Sequence, residues 1–161
     1  MKYLFLAVTS FLAIIAQMIA GNNFFLFNFL DLSLILIAYW AIYRSRVQAL
    51  FVGSLTGLML DAVLGWPLGY NGFGKTLAAC VIGQVAKRIN VEPPWIRFTL
   101  ITSASCISSL TIYLLFLLLQ RASSGIFVGA SLMQALITGG AGMLIFSFMD
   151  SYGQTHTKKA A

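Results

Sequence analysis

The chain has 161 residues, 60% of them hydrophobic and only 9% charged, with a mean hydropathy of +0.91 and a net charge of +6 at pH 7. That balance excludes an ordinary water-soluble domain and fits one compact, all-α integral membrane domain over residues 1–161, with a short polar tail at 151–161. The basic residues lie in short groups between apolar runs, so the charge does not describe a nucleic-acid surface and no nucleic-acid partner is expected.

Six apolar segments follow one another at 3–20, 24–43, 49–64, 72–86, 94–119 and 126–149. The first, after Lys2, imitates a secretory signal, but the many spans behind it favour a retained first helix. The second carries Asp31 near its outer start, where a negative charge suits the free amides of a helix beginning; a binding role is the alternative. Trp40, Tyr43, Trp66, Tyr70 and Trp95 lie near segment ends, where aromatic rings meet lipid headgroups.

The third segment holds the most informative residue. Between Ala49 and Leu64 the only ionisable group is Asp61, and Gly53, Gly57, Asp61 and Gly65 recur at every fourth position, which on a helix aligns them on one surface. A carboxylate facing hydrocarbon is expensive, so this surface is expected to meet protein or a polar cavity, with the glycines admitting a second backbone. A helix-packing seam is the plain reading. An ion-coupling or substrate-binding carboxylate is the sharper one, and a cap near the interface the third.

Residues 65–71, with Pro67 between Gly65 and Gly69, read as a turn leading into the fourth segment. The third and fourth segments are short against the ~20 residues an untilted span needs, which makes a re-entrant hairpin the leading alternative topology. The stretch GYNGFGKT at 69–76 ends like a phosphate loop but lacks its spacing, so nucleotide binding is not expected. Asp61 and Lys75 flank this hairpin and are candidates for an ion pair; otherwise Lys75 reaches outward and Asp61 meets water or another subunit. Asn71 is a further polar candidate beside them.

Tandem Pro93-Pro94 opens the fifth segment, since proline costs least in a helix's first turn. Its hydroxyls, including Ser103, Ser105, Ser108 and Thr111, are expected to bond local carbonyls or neighbouring helices rather than line a ligand path. Gly139, Gly140 and Gly142 in the sixth permit close approach, and Asp150 after it should be solvated or paired with the basic inner face. The tail is expected to be unstructured, with a small docking peptide as the alternative. Cys80 and Cys106 read as reduced packing residues, and the sole histidine, His156, has no catalytic partner at a recognisable spacing. No cofactor, metal or catalytic group is expected.

With the N-terminus inside, Lys2, Arg44, Arg46, Lys87, Arg88, Arg97, Lys158 and Lys159 fall on the cytoplasmic side, leaving Arg121 and Lys75 outside. The positive-inside rule therefore places both termini in the cytoplasm.

These features, in this order, resemble the MreD family of bacterial rod-shape-determining membrane proteins. The likeness is clearest in DLSLILIAYWAIYRS (31–45), where Leu32, Leu34, Tyr39 and Trp40 match the second-span signature and Asp31 marks the membrane entry. It continues in GSLTGLMLDAVLGWPLGYNGF (53–73), where Gly57, Leu58 and Asp61 match a glycine–leucine–acid feature and Gly69 follows in the outer loop. The resemblance implies a noncatalytic cytoplasmic-membrane component of the wall-elongation machinery. Its implied partners are an MreC-like protein, a RodA-like glycosyltransferase, a class B penicillin-binding transpeptidase and an MreB-like cytoskeletal protein. It also implies a six-helix bundle like the substrate-binding subunits of energy-coupling vitamin transporters, which makes a small-molecule binding or transport subunit the alternative function.

Overall fold

A computed structural model describes residues 2–23, 29–119 and 127–158, with side chains placed at 6–19, 29–119 and 129–150. The described residues form six helices: α1 (Lys2–Asn23), α2 (Leu32–Tyr43), α3 (Arg46–Leu64), α4 (Tyr70–Val85), α5 (Pro94–Leu118) and α6 (Phe127–Lys158). Three stretches, Arg46–Leu64, Pro94–Leu118 and Gly129–Asp150, are long and apolar enough to cross a membrane; Leu6–Ile19 and Leu32–Tyr43 are shorter apolar helices.

α2 is the centre. It packs against all five other helices, which follow round it as an arc in the order α1, α3, α4, α5, α6. A helix enclosed in this way must be apolar on nearly every face, and Leu34, Ile37 and Ala38 are completely buried. Successive helices alternate in direction, so one end of the bundle gathers Arg44, Arg46, Lys87, Arg88 and Arg97, while Asp61 and the α3–α4 turn lie at the other.

The second helix is shorter than the expected segment 24–43. Asp31 leaves helical geometry (φ −97°, ψ 84°) and its carboxylate accepts from the Leu34 amide at 3.0 Å, so the helix starts at Leu32. Residues 24–28 lie outside the described region, as do Arg121 and Lys159. The third helix is longer than 49–64 because the Ser45 hydroxyl caps it by accepting from Gln48 N. α5 opens as expected on Pro93 and Pro94. The stretch 151–158, expected as unstructured tail, continues α6 instead; extending an existing helix adds one backbone bond per residue and needs no apolar face.

Candidate functional site

The polar interior is built where α2, α3 and α4 meet. Two of its acids choose partners that their spacing does not suggest. Asp61 and Lys75, the candidates for an ion pair, do not bond to each other. The Asp61 carboxylate instead accepts from the backbone amides of Gly69 (2.8 Å), Asn71 (3.0 Å) and Gly72 (3.3 Å), and from the Asn71 side-chain amide at 2.9 Å. The first amides of a helix have no partner inside it, and a carboxylate is their best acceptor. Gly69, at φ +109°, has no side chain to cap α4, so Asp61 caps it from the preceding helix. The Asp61 backbone carbonyl meanwhile accepts from Gly65 and Trp66, closing the end of α3. One residue thus fixes both sides of the turn.

Lys75 is almost fully buried and forms an ion pair with Asp31, across from α4 to the start of α2. Its ammonium also donates to Ser33 Oγ at 2.6 Å, and the Ser33 hydroxyl donates to Asp31 Oδ1 at 2.5 Å. The Asp31 amide donates to Thr138 Oγ1 at 3.1 Å, which ties α6 to the same cluster. Burying opposite charges is tolerable when the remaining donors and acceptors are satisfied, as Ser33 and the Leu34 amide do here. Lys75 is held inside α4 rather than reaching outward, and the GKT sequence lies within that helix and not on a loop.

The glycine row divides. A Cβ on Gly57 would lie 2.4 Å from Gly72 Cα and 2.6 Å from the Asn71 carbonyl carbon; one on Gly53 would lie 2.9 Å from the Lys75 carbonyl oxygen. Only hydrogen at these positions lets α3 and α4 meet backbone to backbone. Gly65 does not share the contact: it is exposed, has nothing within 4 Å of a Cβ position, and ends α3 in the left-handed conformation at φ +65°.

At the basic end, Arg97 is buried and pairs with Asp150 at 2.6 Å, joining α5 to α6. Its Nε donates to the Val91 carbonyl at 2.7 Å, and Tyr43 donates to the other Asp150 oxygen at 3.2 Å. This α2–α5–α6 clamp was legible only as a general attraction between Asp150 and the inner face. The signal for Arg97 was a cation set within the first turn of an apolar helix, which requires a partner. Ser33 and Thr138 carried no comparable signal.

Two aromatic assignments change. Trp40 and Tyr70 are buried at 5% exposure each, Trp40 edge-on to Tyr39 and Tyr70 edge-on to Phe116, whereas Tyr43 and Trp95 are exposed. Trp40 belongs to the central helix and joins the apolar core, and Tyr70 packs across to α5, so neither ring reaches the surface despite lying near a helix end. Three hydroxyls of the fifth helix bond locally, Thr99 donating to the Ile96 carbonyl, Ser103 to that of Leu100 and Thr111 to that of Ile107, whereas the buried Thr102 Oγ1 has no hydrogen-bond partner among the described residues. Cys80 and Cys106 are free thiols. Among the described residues no group of three histidine, cysteine, aspartate or glutamate side chains could hold a metal.

Apolar helices of membrane-crossing length, charges matched inside the bundle and apolar side chains outside define an integral membrane protein. The chain matches the family model of the rod shape-determining protein MreD over residues 1–152 and belongs to that family. No curated protein and no solved structure matches it.

Proposed function

We propose that this chain is a noncatalytic subunit of the bacterial cell-elongation complex, binding an MreC-like protein in the cytoplasmic (inner) membrane. In this role it helps to organise a RodA-like glycosyltransferase, a class B penicillin-binding transpeptidase and MreB-like filaments. The observation that carries the reading is the family match, which takes in α1 to α5 and most of α6. The chemistry of the interior supports it. Asp61 bonds to the start of α4 and Lys75 to Asp31 at the start of α2, so these buried groups are engaged in holding the bundle together. Exposed apolar side chains such as Phe11, Leu12, Leu136 and Phe148 offer surface to lipid and to membrane partners.

The proposed architecture has six crossings with both termini cytoplasmic, supported by the basic residues gathered at one end. At 1.5 Å per residue, α2 spans about 18 Å and α4 about 24 Å, less than the ~30 Å hydrocarbon layer; α2 is enclosed by the other helices and α4 is flanked by α3 and α5.

The functional reading is tested by depletion. Cells deprived of the chain should round up while growth continues for some generations, and the wild-type gene supplied in trans should restore rods. Unchanged shape on full depletion, with uptake of a specific small molecule lost instead, would point to the transport alternative.

A further inference from the structure

The turn between α2 and α3 and the C-terminal end of α4 border a half-open cavity of about 260 Å³ lined by Arg44, Ser45, Arg46 and Lys87, with Ala41, Ile42 and Ala86 as its apolar side. No acidic residue lines it. The chain has only four acidic residues, and all are placed elsewhere. Asp31 pairs with Lys75, Asp150 with Arg97, Asp61 caps α4, and Glu92 accepts from the Asn90 side chain. Three cations therefore share one concave surface with no carboxylate among its lining residues.

The cavity is also shaped in advance. Arg46 Nε donates to the Gly83 carbonyl at 2.8 Å, and its stem occupies the space that a side chain at Gly83 would take, since a Cβ there would lie 3.0 Å from Arg46 Cγ. The Arg44 guanidinium rests over the Trp40 ring, 5.9 Å from its centroid. The start of α3 opens on the same cavity beside the C-terminal ends of α2 and α4, so the helix ends there carry both signs and the three side chains supply the net positive charge.

What distinguishes a lipid from a free anion lies next to these charges. Val47, Phe51, Leu55 and Leu58 are all exposed and follow at helical spacing, so an apolar stripe runs down α3 from the residue after Arg46. We propose that this cavity binds an anionic phospholipid, with its phosphate among Arg44, Arg46 and Lys87 and its acyl chains along Val47, Phe51 and Leu55. Basic pockets between helices at the membrane boundary are suited to such headgroups. The inference needs this end of the bundle to lie at the membrane surface and is independent of any protein partner.

The test is native mass spectrometry of the delipidated full-length protein, titrated in turn with phosphatidylglycerol, phosphatidylethanolamine and inorganic phosphate. Phosphatidylglycerol should bind at least about tenfold more tightly than phosphatidylethanolamine, and millimolar phosphate should fail to displace it. The triple variant Arg44→Gln, Arg46→Gln, Lys87→Gln should lose that preference. Arg88→Gln, Lys158→Gln, Lys159→Gln, with the same change in net charge, should keep it. Equal losses in the two variants, no headgroup preference, or full displacement by phosphate would each overturn the proposal. If the first variant cannot be extracted folded, Lys87→Gln alone decides: Lys87 is exposed, and a loss of preference of less than about twofold would count against the site.

Discussion

Lys75 takes its counter-ion from Asp31, 44 residues away in sequence, and leaves Asp61, the nearer acid, to cap a helix. The hairpin suggested a local pair because Asp61 and Lys75 flank the same turn. Asp61 collects three backbone amides and the Asn71 side-chain amide at the start of α4, and only the folded bundle brings Asp31 to Lys75. The presence of buried polar groups was thus legible from single residues in apolar runs, and their pairing was not. Removing one member of the Asp31–Lys75 pair should leave an unpaired buried charge. Lys75→Met alone is expected to destabilise the protein by about 3–5 kcal/mol, and the double variant Asp31→Asn, Lys75→Met to recover most of that loss. Unfolding in detergent of the two single variants and the double variant measures the coupling; additive losses would show that the pair is not an energetic unit.

At the scale of elements, α3 and α4 make the most extensive contact in the bundle. Gly53 and Gly57 lie against the α4 backbone, while Gly65 completes the spacing only by ending the helix. Periodicity along a sequence records which residues could share a face; it carries no information on where the helix stops. The same limit explains the start of α2, where the apolar Phe29 and Leu30 precede Asp31 but the helix begins only at Leu32. Gly57→Ala should force the two backbones apart, because the obstructing atoms belong to main chain and cannot rotate away. A loss of about 1–3 kcal/mol is expected for this overpacking, against a negligible change for Ala62→Leu on the exposed side of α3. Equal thermal stability of the Gly57→Ala and wild-type proteins would mean that the helices do not meet as described.

For the whole molecule, composition and hydropathy pointed to an all-helical membrane protein, and the ordered features from Asp31 to Gly69 pointed to the family that the chain belongs to. The arc of five helices round α2 was not legible, because it depends on which apolar faces choose one another. Its consequence is an interior occupied by the protein's own ion pair and caps, which favours a subunit that acts through its surface over one that acts on a bound substrate. That claim is tested most directly by affinity purification of the intact complex from native membranes, with mass spectrometry of what accompanies the chain. The expected result is stable recovery of an MreC-like protein, with wall-synthesis enzymes in smaller amounts. Repeated recovery of the chain without any of them, from membranes in which those proteins are demonstrably extracted, would contradict the assembly role.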